Sequence, residues 1–239
     1  MSGLVPVVVR AVLADGLVAA HPWGIALDGL LASLVWAEVV DGADPDAVAW
    51  PSLSECPPDL ELPLGRCTAP AGQEWHWAAT CCQPGGAAAR EVRYRTKRFD
   101  HHEVSVLAGD RLPVTVHPGG RYARRRPPAL ATVTREVVWR CVGDPVAIRP
   151  LLQGVGAIGK GRQHGEGRVL SWHVEPAAGG DVWEFGHLHP DGSLGRPCPG
   201  ECLPAELVEG RSAVWAGIRP PLMHSGRQMP LFIPDPIRP

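Results

Sequence analysis

Residues 132–175 carry four signals in a fixed order, and that order restricts the fold more than any other stretch of the chain. An apolar run from Thr132 to Val142 reads as a strand. Asp144 then stands at an N-cap position, with Pro145 at the first helical position and Val146, Ile148, Leu151 and Leu152 giving an apolar face, so a short helix ending at Gly154 is predicted. The sixteen residues from Gly154 to Val169 contain six glycines interleaved with Lys160, Arg162, His164 and Arg168. From Val169 to Glu175, alternating residues such as Leu170, Trp172 and Val174 predict a second strand. The glycine-basic loop therefore leaves a helix and feeds a strand.

That placement argues against a nucleotide-binding P-loop. Gly154-x4-Gly159-Lys160 matches most of the motif, but Gly161 stands where a Ser or Thr hydroxyl must reach Mg²⁺, and no helix follows. Glycines let a backbone approach a polyanion closely, so bare amides can converge on phosphate oxygens while long cations neutralise charge. The loop thus reads as a flexible turn that grips a phosphate backbone. The competing reading is a glycine-rich surface turn that binds nothing.

Charge distribution favours the first reading. Arg90 to Arg168 hold 16 Lys and Arg against 7 Asp and Glu, leaving 7 against 18 elsewhere, although the formal net charge of the 239 residues is only −2. Such asymmetry directs one region to a polyanionic partner and predicts binding that weakens with salt. Arg93, Arg95 and Lys97 alternate in strand register with Tyr94 opposite, and Arg121, Arg124, Arg125 and Arg126 form a second basic cluster in a Gly/Pro-bounded loop. A solvated edge strand kept soluble by charge is the plain alternative.

An apolar content of 45% supports a real core. No run of about 18 apolar residues is present and the N-terminal stretch lacks secretory features, so no membrane association and a cytoplasmic location are expected. Seven cysteines at irregular spacing favour reduced thiols. His187, His189, Cys198 and Cys202 have ligand types suited to zinc, and Cys56, Cys67, Cys81 and Cys82 form a looser set, but neither has paired C-x2-C spacing. They are read as ordinary residues, with no metal and no cofactor expected.

Elsewhere, Val5 to Leu13 predicts a buried strand, and Asp28 is placed as the cap of a core helix through Val39. Asp41 to Arg66 is Pro- and acid-rich and is expected to be a surface insertion, Glu74 to Thr80 another strand, and Ala205 to Glu209 a short helix. No internal repeat is seen.

The early strand, the His21-Pro22-x4-Leu27-Asp28-Gly29-Leu30-Leu31-Ala32 helix start, the Thr96-Lys97-Arg98-Phe99-Asp100 segment and the Gly159-Lys160-Gly161-Arg162-x2-Gly165-x-Gly167-Arg168-Val169 loop together resemble the RAMP superfamily of CRISPR-associated proteins. The closest likeness is to the Cas5-like subunit of type IV systems, and it covers most of residues 5–175. The resemblance implies an α+β fold: a ferredoxin-like, RRM-related core with an antiparallel sheet over residues 1–175, a basic insertion at about 85–128, and a Pro/Gly-rich extension over 176–239 packed on the core. It also implies a noncatalytic subunit that holds the 5′ end of a guide RNA and caps a backbone filament, with the backbone subunit as partner and a large subunit and target DNA as further candidates. RNA contact is expected at Thr96, Lys97, Arg98, Arg121, Arg124, Arg125, Arg126, Gly159, Lys160, Gly161, Arg162, Gln163, His164, Gly165 and Arg168.

Some members of the superfamily cleave guide-RNA precursors without metal, which leaves an endoribonuclease as the alternative. His21, His101, His102 and His164, with Tyr94 or Tyr122 behind them, are its candidate groups, and a structural role is preferred for His21. Trp23, Trp50, Trp75, Trp183 and Trp215 are candidate anchors for a neighbouring subunit, with core filling favoured.

Overall fold

The structure is a computed structural model that describes residues 3–42, 57–68, 74–95 and 126–237. It is an α+β arrangement built on a four-stranded antiparallel sheet. β1 (Val5–Leu13) lies at its centre, pairing with β7 (Glu136–Gly143) on one side and β8 (Val169–Pro176) on the other, and β4 (Gln83–Pro84) continues the sheet beyond β7. Strand alternation gives β1 two faces. Val7, Val9, Ala11 and Leu13 join Val137, Trp139, Cys141 and Val174 in the main core, over which lie α1 (Leu27–Asp41) and α2 (Pro145–Gln153) through Leu27, Leu31, Ile148 and Leu152. Val8 and Val142 face the other way and take Phe185 of α3 (Val182–His187).

Several expectations hold. β1 spans the predicted strand, and α2 begins at Asp144, whose carboxylate accepts from Val146 N at 2.9 Å and Ala147 N at 3.4 Å, and ends against Gly154. The short helix at 205 is present as α4 (Ala205–Val208).

Others need correction. The single strand expected from Thr132 to Val142 is two: β6 (Pro128–Val133) pairs with β5 (Ala89–Tyr94) in a separate hairpin, and β7 starts anew at Glu136. The break lies at Thr134, whose hydroxyl accepts from Glu136 N at 3.4 Å, a local side-chain bond that competes with a continuous ladder. Asp28 does not cap α1; the N-cap position is Ala26, and Asp28 is buried as the second residue of the helix, where its carboxylate lies 3.6 Å from Arg196. Within the stretch read as a surface insertion, Leu62 and Leu64 are buried in the main core.

The chain beyond β8 lies against the core at defined points. Arg196, 3% exposed, donates to the carbonyls of Trp77, Ala79 (2.9 Å) and Ile218 (3.1 Å). Phe232 and Cys198 exchange backbone bonds, and Ile237 N donates to Pro22 O at 2.8 Å. The two remaining pairs are β2 (Arg66–Thr68) with β3 (Trp75–Trp77), and β9 (Val214–Gly217) with β10 (Gln228–Leu231). No helix among the described residues is long and apolar enough to cross a membrane.

Candidate nucleic-acid interface

The glycine-basic loop has a closed neck rather than a free-swinging turn. Ile158 N donates to Gly167 O and Val169 N to Gly156 O, both at 2.9 Å, so the two arms pair like a short ribbon. Ile158 is buried in the core beneath the neck. Trp172 on β8 stacks on Trp139 and donates from its indole to Val155 O at 2.9 Å, fixing where the loop leaves α2. Hydrogen bonds and one apolar plug thus hold the base of the loop in place.

Above the neck, Lys160 N donates to Val18 O at 2.7 Å, and the chain makes one 3₁₀ turn at Arg162–His164 between Gly161 and Gly165. Both glycines are left-handed, with φ of 79° and 84°, a conformation costly to any residue with a Cβ. The Arg95 guanidinium occupies the space a Gly161 Cβ would take, and as the end of a flexible side chain it would have to move aside. Among the described residues the amides of Gly161, Arg162 and Gln163 have no hydrogen-bond partner, and a left-handed residue leading into a turn aims such amides into one concavity.

The charges separate by direction. Lys160, Arg162, Gln163, His164 and Arg168 are exposed, and no ion pair holds Lys160, Arg162 or Arg168 among the described residues. Glu166, the loop's one acid, turns inward to Arg93 at 2.6 Å and Arg95 at 3.6 Å. Arg93 also meets Asp15 and Glu91, both at 3.0 Å. Arg93 and Arg95, read from the sequence as a basic strand face, thus neutralise Glu166 from behind and leave the loop's outer side cationic.

Of the residues expected to contact RNA, Gly159, Lys160, Gly161, Arg162, Gln163, His164, Gly165 and Arg168 share this one surface. Arg126 is exposed elsewhere, its guanidinium 4.8 Å from the Tyr94 ring centroid and so on the hairpin face opposite Arg93. Thr96, Lys97, Arg98, Arg121, Arg124 and Arg125 lie outside the described residues, as do His101, His102, Tyr122 and Trp50.

His21 borders the grip. Its ring stacks on Trp23 with centroids 4.8 Å apart, and burial, followed by the nearby Lys160 charge, holds its pKa below the usual 6.5. Sequence reasoning passed over Glu166, Arg93 and Val18 as parts of this surface. A lone acid in a basic loop, preceded by two same-face arginines on a strand, was the available signal for the first two; the carbonyl of Val18 has none.

The zinc-type residues divide differently from either set read in the sequence. His187 and Cys202 come together with Cys67 and His76, while His189 and Cys198 stay outside that quartet and Cys56 lies outside the described residues. Among the tryptophans, Trp77 and Trp139 fill the core and Trp215 is 73% exposed. Compared with known proteins, the chain matches no family model and no curated protein.

Proposed function

We propose that this chain is a noncatalytic RNA-binding subunit of a type IV CRISPR ribonucleoprotein, similar to the Cas5-like subunit, which holds the 5′ end of the guide RNA in the cytoplasm and caps the backbone filament. The observation that carries the reading is the pinned loop at 156–169, with Lys160, Arg162, His164 and Arg168 outward and Glu166 inward. A ribose-phosphate strand suits it because unbonded amides and exposed cations fall on one turn, a combination that binds phosphate without reading bases.

The strand order is what supports reading the core as ferredoxin-like. The order β4-β7-β1-β8, antiparallel throughout, with α1 following β1 and α2 joining β7 to β8, is that of a split βαβ unit. The glycine loop then follows the second core helix. The β5–β6 pair holds the described ends of the basic insertion and is joined to the loop through Arg93 and Arg95.

The test is guide-RNA binding by the purified chain. Lys160→Ala with Arg162→Ala is expected to weaken binding by about tenfold or more at moderate salt, since both remove phosphate neutralisation. Unchanged affinity would remove the loop from the mechanism.

One observation favours an endoribonuclease as the second reading. Burial, then the nearby Lys160 charge, lowers the pKa of His21, which favours its base form beside a cation, the pairing that metal-free cleavage of RNA uses. Incubation with a stem-loop repeat RNA in chelator separates the readings: the noncatalytic subunit leaves it intact, and specific cleavage lost in His21→Ala would overturn that assignment.

A further inference from the structure

Four side chains from three remote parts of the chain bring their metal-ligating atoms together. Cys67 on β2 and His76 on β3 are directly opposed in that hairpin, so their side chains leave the same face. His187 is the last residue of α3, and Cys202 ends the short turn Gly200–Cys202. The two histidines are buried and the two cysteines half-buried.

The spacing is that of a coordination shell. All four ligand atoms lie within 4.8 Å of one another. Cys67 Sγ to Cys202 Sγ is 3.5 Å, Cys202 Sγ to His76 Nε2 and His187 Nε2 is 3.8 and 3.6 Å, and the two Nε2 atoms are 2.8 Å apart. A zinc ion with two sulfurs at about 2.3 Å and two nitrogens at about 2.0 Å sets edges of roughly 3.8 Å for S···S, 3.6 Å for S···N and 3.3 Å for N···N. The nitrogen pair would need to open by about half an ångström, and Cys67 Sγ, the atom set farthest from the imidazoles within the 4.8 Å spread, would need to move in by up to about 1 Å.

The surroundings suit the ion. His187 Nδ1 donates to Trp183 O at 2.6 Å, which turns its Nε2 lone pair toward the centre in the way that second partners of zinc histidines do. Zinc with two thiolates and two neutral imidazoles has no net charge, so its burial carries little of the penalty of an unpaired ion. Hydrogen bonds alone explain the arrangement less well: an imidazole pair gives no reason for two sulfurs to converge on it from elements more than 100 residues apart.

We propose that Cys67, His76, His187 and Cys202 form a structural zinc site that fastens the chain beyond β8 to the β2–β3 hairpin. Four protein ligands close the tetrahedron, so the ion has no open position for substrate and its role is a cross-link.

The experiment uses the full chain, purified under reducing conditions without chelator, with zinc measured by elemental mass spectrometry. About one zinc per chain is expected, and cobalt(II) substituted for it should show the visible bands of a tetrahedral thiolate site. Cys67→Ser with Cys202→Ser should lower the zinc content about tenfold or more, whereas Cys81→Ser, a buried thiol outside the quartet, should leave it unchanged. If the double variant does not fold, thiol alkylation of the unaltered chain decides. Removing zinc should speed modification of Cys67 and Cys202 about tenfold relative to the other cysteines. A folded, metal-free chain whose thiols respond alike to zinc, or a Cys67–Cys202 disulfide in its place, overturns the proposal.

Discussion

Lys160 and His21 are coupled through space, and the coupling has a sign that can be measured. Burial first, then the ammonium, disfavours the imidazolium, so Lys160→Ala should raise the His21 pKa toward 6.5 in a histidine NMR titration. A bound polyanion acts in the opposite direction to Lys160. His21 should then take up a proton on binding, so affinity for RNA should rise as pH falls below neutral. Gly161 offers a second test at this scale. Gly161→Ala meets both a left-handed backbone and the Arg95 guanidinium, and should cost about 1–2 kcal/mol or more in urea denaturation. Repeating it on an Arg95→Ala background recovers the steric share and leaves the backbone share, which a double-mutant cycle separates.

At the scale of elements, Asp28 and Arg196 tie α1 to the chain beyond β8. Both are nearly inaccessible, at 1% and 3% exposure, and Arg196 also satisfies carbonyls of Trp77, Ala79 and Ile218. Arg196→Met should destabilise the protein by about 3–5 kcal/mol, because it strands a buried carboxylate, while Asp28→Leu with Arg196→Met should recover much of that loss. Equilibrium denaturation of the three variants decides. The contrast with what the residues disclose beforehand is instructive. β1 and α2 were legible because their signals are local: a β-branched run for one, and Asp144-Pro145 ahead of a periodic apolar face for the other. Asp28 was misread because its cap-like position is decided by a guanidinium 168 residues later. Thr134 splits a run that periodicity alone joins. The cations of the grip were readable as a set, but Glu166's inward turn depends on Arg93 and Arg95 arriving from another hairpin. Cys67 and His76 become neighbours only through strand register, a relation that ligand spacing along the chain does not express.

For the whole molecule, the charge map predicts how binding responds to its medium. A single strand loses about 0.7 of a unit in log K per unit log salt for each phosphate neutralised, so removing Lys160 and Arg162 together should flatten the slope by about 1.4. Filter binding at several salt concentrations measures it. Stripping the metal should act on folding instead, lowering the thermal midpoint by about 5 °C or more as the link between the hairpin and the chain beyond β8 is lost. The ribboned neck of the loop carries a final consequence. Its residues have surrendered their freedom before any ligand arrives, since Ile158 plugs the core and Val18 and Trp172 hold the two approaches. Docking should therefore resemble the meeting of two rigid bodies, with little ordering entropy to offset and no calorimetric heat-capacity signature of a segment that folds upon capture.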